Sequence, residues 1–106
     1  MEVVFLESAE TDLKELKSYV VKKFGKEIWA EGFNEIKTIL ASVADGTITG
    51  KIPLELLDLN DKRYRQVLTS MNKIIYQVME DTVYIHIVCD QRRDFAALLM
   101  QRLFRV

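Results

Sequence analysis

One cysteine, one proline, one histidine and four glycines are all this 106-residue chain holds of the residues that most often staple, break or switch a small fold. A lone Cys89 excludes an internal disulfide, which fits a reducing cytoplasm. No apolar run is long enough to span a membrane, so no membrane partner is expected. The opening "MEVVFLESAE" is acidic and lacks a basic n-region, which argues against a signal peptide. Repeats, low-complexity segments and an internal linker are missing, so residues 1–106 read as a single domain. At 49% hydrophobic and 29% charged residues, the chain is globular with a real but thin core.

Arginine is absent from the first 61 residues, where 7 lysines face 12 acids, a net charge of −5. Residues 62–106 hold 2 lysines, 6 arginines and 4 acids, a net of +4. Arginine is suited to phosphate and to desolvated carboxylates. The second half is therefore a solvated basic face or a basic surface for an acidic partner.

The hydropathy pattern divides the chain. Residues 2–6, "EVVFL", read as a strand. Ser8 offers an N-cap, with Glu10 and Asp12 in the first turn. Leu13, Leu16, Val20 and Phe24 follow at helical spacing, and Gly25 suits the C′ position. A second helix carries Trp29, Phe33, Ile36, Leu40 and Val43 and ends at Asp45-Gly46. So short a connection implies an antiparallel helical hairpin. Gly32 costs that helix about 1 kcal/mol against alanine unless it permits close packing against the first helix. Residues 46–61 read as a loop with one helical turn at Pro53–Leu57. Leu54, Leu56, Leu57 and Leu59 are expected to hold that loop on the body.

From Arg63 to Asp90 the period changes to two, predicting a three-stranded antiparallel meander. A two-residue turn at Glu80-Asp81 pairs Met79 with Thr82. Ile74, Tyr76 and Val78 then share a core face with Val83, Ile85, Ile87 and Cys89. Lys73, Ile75, Gln77 and Met79 share the other face with Thr82, Tyr84, His86 and Val88. The final segment, capped by Asp94, is a helix with Phe95, Leu98, Leu99, Arg102 and Leu103 on one side. It either covers the second sheet face or leaves that face to a partner.

Three segments in this order, "LESAETDLKELKSYVVKKFG", "NKIIYQVMEDTVYIHIV" and "DQRRDFAALLMQRLF", resemble the RelE/ParE superfamily of toxins from bacterial toxin–antitoxin pairs, also called plasmid stabilisation proteins. The Arg-Arg-Asp ending with Arg102-Leu103 looks most like the ParE branch. The resemblance implies an α/β (α+β) fold: a curved antiparallel sheet on an N-terminal helical hairpin, plus a C-terminal helix. It also implies a cytoplasmic toxin that binds and inhibits DNA gyrase and is neutralised by a cognate antitoxin. Ile75, Met79, Tyr84 and Val88 are the apolar anchors on offer to such a partner. Arg63, Arg65, Lys73, Tyr84, Arg92, Arg93, Arg102 and Arg105 are the candidate partner-binding residues.

The RelE branch instead cuts messenger RNA on the ribosome. Attack by a 2′-OH needs a base, cations on the scissile phosphate and an acid for the leaving oxygen. Lys73 matches a strand arginine of such enzymes, and Arg92 or Arg93 matches the basic position after the last strand. His86 is the remaining catalytic candidate. No tyrosine or histidine follows residue 86 where those enzymes place an acid or base. A sequence pI of about 5.8 is also low for a protein working on RNA phosphates. Binding is therefore favoured over cleavage. Messenger RNA cleavage on the ribosome is the alternative, and a non-toxic binding module the second alternative. No cofactor or metal is expected, since His86 and Cys89 lack further ligands.

Overall fold

The computed structural model describes residues 1–91 and 95–103. Its elements are β1 (Glu2–Phe5), α1 (Glu7–Phe24), α2 (Lys26–Ala44), α3 (Leu54–Leu57), β2 (Arg65–Leu68), β3 (Asn72–Met79), β4 (Thr82–Asp90) and α4 (Phe95–Leu103). The four strands form one sheet in the order β1-β4-β3-β2. The expected meander β2-β3-β4 is antiparallel, and β1 joins it in parallel beside β4.

The first helix starts earlier than its serine suggests. The Leu6 N–H donates to the Ile85 carbonyl at 3.1 Å, so Leu6 still belongs to the strand ladder. The Leu6 carbonyl already accepts from Glu10 N–H at 2.9 Å. Leu6 is thus the N-cap, without a side-chain bond, and Ser8 lies inside the first turn. Glu7 and Glu10 in the first turn and Lys22 and Lys23 in the last complement the helix dipole.

Gly25 alone separates α1 from α2. Its φ of 98° and ψ of 165° are open only to glycine, and its N–H closes α1 onto the Val20 and Val21 carbonyls. The chain therefore reverses in one residue. The hairpin lays Ala9, Ile36, Leu40 and Val43 on one sheet face, against Val67, Ile74, Tyr76, Val83, Ile85 and Val88. Gly32 is not a helix-crossing point, because a Cβ there would meet only Met71, at 3.6 Å.

The β3–β4 register follows the predicted turn as far as Tyr76↔Ile85, then slips. Ile75 pairs with Ile87 and Ile74 with Val88, so His86 is the extra residue of a β-bulge. Beyond the bulge every β4 side chain changes face. Ile87 and Cys89, expected under the hairpin, lie in a second core on the opposite side of the sheet. Val88, expected on the open face, is buried under the hairpin. In the second core Tyr64, Ile75, Ile87 and Cys89 meet Leu56 of α3 and Phe95, Leu98 and Leu99 of α4. Of the four loop leucines only Leu56 is buried; Leu54, Leu57 and Leu59 are exposed. Leu56 and the fully buried Pro53, with Ile52 packed partly against the second core, anchor the loop, and the main-chain bridge Lys51↔Gln66 ties its start to β2.

Candidate functional site

The pairing of β1 with β4 ends at Phe5↔Ile85, so among the described residues the edge of β4 beyond it has no neighbouring strand on that side. Here two side chains distant in sequence take up its main-chain groups. The Val88 N–H donates to Asp12 Oδ2 at 3.0 Å, and Arg102 donates to the His86 carbonyl. Arg102 Nη1 also donates to Asp12 Oδ1 at 2.9 Å. α1, β4 and α4 are thereby joined by one mostly buried ion pair. Arg102, a candidate for partner contact, is engaged inside the molecule.

The catalytic candidates are arranged as follows. Lys73 pairs in register with Cys89, and its ammonium lies 4.0 Å from the Phe95 ring centroid. This is a cation–π contact with the first residue of α4. His86 sits three residues along β4 from Cys89, about 10 Å at strand rise. Its Nε2 lies 3.2 Å from Gln77 Oε1, and its ring meets the Tyr64 ring edge-on at 5.1 Å. Burial first, and then the nearby Arg102 charge, push the imidazole below its ordinary pKa. Among the described residues His86 and Lys73 therefore have separate partners and share no acceptor. Arg92 and Arg93, with Asp94, the expected cap of the last helix, lie outside the described residues, as does Arg105.

Arg63 binds Asp61 in a two-pronged pair, through Nε at 3.1 Å and Nη2 at 2.7 Å. That pairing holds the Asp61 carboxyl below its usual range, with the hydrogen bond from Arg63 the largest cause. Arg65 makes one long bond, 3.4 Å, to the Gly50 carbonyl. Tyr84 is half-buried beside Gln77. Of the four apolar anchors expected, Ile75 and Val88 are buried; Met79 is exposed and Tyr84 partly so. No group of three or more His, Cys, Asp or Glu side chains suited to a metal occurs among the described residues. None of the described helices is long and apolar enough to cross a membrane. Asp12 carries a role that sequence reading assigned only to the helix dipole; its partner stands 90 positions away, and no local pattern signals it.

The model of a known family matches residues 3–95: the ParE toxin of the type II toxin–antitoxin system parDE. The chain belongs to the ParE toxin family. Among solved structures, a chain of a chromosomal ParDE toxin–antitoxin system from P. aeruginosa is similar, with a TM-score of 0.67 and 13% identity. The likeness covers 85% of this chain and 95% of that one, and at such identity it speaks for the fold. A search of curated proteins finds no match. Within this ParE toxin, the sheet face where an RNA-cutting site was considered is occupied by Ile75, Ile87 and Tyr64 under α4.

Proposed function

We propose that this ParE-family toxin acts by binding DNA gyrase, without chemistry of its own, and that a cognate antitoxin holds it inactive. The observation that supports this reading is the part of the second sheet face that α4 covers, around Ile75, Ile87 and Cys89. Phe95, Leu98 and Leu99 fill it, each at most 6% exposed, so a phosphate has no open floor between Lys73 and His86. General acid–base catalysis needs two groups within hydrogen-bond reach of one reacting centre. Lys73 on Phe95 and His86 on Gln77 do not converge on one. The net charge of −1 also suits protein contacts better than sustained contact with RNA phosphates. In a supercoiling assay with purified gyrase, the toxin is expected to inhibit in proportion to dose, and pre-mixing with its antitoxin to restore activity. Full supercoiling at high toxin excess would overturn the reading. So would cuts in the A-site codon of translated messages that vanish in Lys73→Ala.

A further inference from the structure

Between the end of α2 and the strands β2 and β3 lies a cavity of about 310 Å³. Two side-chain cations, Lys62 and Arg65, line it together with Tyr76 and Met1, whose ammonium is turned to the Ala44 carbonyl at 3.1 Å, and no carboxylate among the described residues does. Arg63, which stands between them in the chain, is neutralised by Asp61. Lys62 has no ion-pair partner among the described residues, and Arg65 spends a single N–H on the Gly50 carbonyl. Tyr76 is 2% exposed, and its oxygen accepts the Gly50 N–H at 2.7 Å. The phenol proton therefore finds no acceptor among the described residues. Gly50 is needed for this arrangement: a Cβ would come within 2.5 Å of the Gln66 carbonyl and 2.8 Å of the Tyr76 hydroxyl. The rim is apolar, with Ile48 and Val78 each more than a third exposed.

Two unpaired side-chain cations, one phenol and the apolar Ile48 and Val78 set the ligand's chemistry, while the Met1 ammonium is taken up by the Ala44 carbonyl. A nucleic-acid strand presents a row of phosphates and is held by a row of cations. This cavity offers two, and its rim favours carbon. A carboxylate on a side chain flanked by apolar neighbours matches both features: charge complementarity below and apolar burial above. We propose that the cavity seats a glutamate or aspartate of a protein segment whose adjacent residues are apolar. This goes beyond the toxin reading, because it assigns a contact point that does not depend on gyrase being the target.

The test is a titration of the full chain, followed by amide NMR, with a short capped peptide carrying one glutamate between leucines. Saturable shifts are expected at Gly50, Lys62 and Arg65. Binding should weaken about tenfold or more in Lys62→Gln and in Arg65→Gln, and with the glutamine version of the peptide. Lys62 is exposed, so its variant keeps the fold. Absent shifts, or equal shifts with the glutamine peptide, would overturn the proposal. Inorganic phosphate binding at the same residues at least as tightly as the peptide would also overturn it, by reducing the cavity to a general anion site. No gyrase or antitoxin enters the experiment, so its outcome is independent of the supercoiling assay.

Discussion

At single positions, backbone geometry and burial decide what a substitution does. Gly25 has open space around its α-carbon, so a methyl group there would touch nothing within 4 Å. Its φ and ψ are nonetheless closed to alanine. Gly25→Ala should therefore destabilise the fold by about 1–3 kcal/mol, through the backbone alone. Urea unfolding measures this, and an unchanged midpoint would show that the one-residue reversal tolerates a side chain. His86 gives a pH signature of known sign. Its folded pKa lies below the ordinary value of 6.5 because burial, then Arg102, penalise the cation. Between the folded value and 6.5 the unfolded chain binds more protons, so stability rises with pH across that window. The His86 contribution is complete above about 6.5 and is lost as pH falls towards the folded value. His86→Gln should flatten that part of the stability curve; an unaltered slope would assign it to other groups.

Among the elements, the β3–β4 turn carries the clearest local conflict. Glu80 and Asp81 have φ of 49° and 64°, both in the left-handed region, where two-residue hairpins favour Asn-Gly. Replacing the pair by Asn-Gly should raise stability by about 1 kcal/mol, read as a higher urea midpoint at unchanged slope. The same turn shows how far the sequence could be read. Strict alternation from Thr82 predicts the register Met79↔Thr82, which the sheet adopts as far as Tyr76↔Ile85. The stripes of both hairpin helices are equally legible: Ile36, Leu40 and Val43 recur at helical spacing and are buried. The bulge at His86 is not legible, since the apolar run Ile87-Val88-Cys89 that follows fits either assignment of faces and holds no glycine or break. Its partners are tertiary: beyond the end of β1, Asp12 accepts the Val88 N–H and Arg102 donates to the His86 carbonyl, contacts that no local pattern shows. The faces assigned to Ile87, Val88 and Cys89 are therefore inverted, and with them one of the four apolar anchors expected for a partner, Val88; Ile75 keeps its face and is buried under α4. The parallel pairing of β1 with β4 is likewise set by where the helical hairpin returns the chain, not by "EVVF" itself.

Across the whole molecule, one sheet serves two cores of unequal security. The hairpin core draws on two helices of 18 and 19 residues, whereas the second rests on α4, of 9 residues, and one leucine of α3. The Asp12–Arg102 pair is the polar tie between α4 and the first core. Local opening generally occurs where few apolar contacts hold an element, and here that element is α4. Cys89 reports such opening, since it is 3% exposed and packed in the second core. Removing the guanidinium in Arg102→Ala leaves the His86 carbonyl and the Asp12 carboxylate unmatched, at a cost of about 2 kcal/mol. If that cost falls on α4 docking, Cys89 should react with a thiol reagent about 30-fold faster, while hydrogen exchange at Ile36 and Ile85 stays slow. Equal acceleration at all three positions would mean instead that the two cores unfold as one unit. Asp12→Asn separates the two contributions of the tie. Its amide oxygen can still accept the Val88 N–H but carries no charge for Arg102, so the labelling rate should fall between those of wild type and Arg102→Ala.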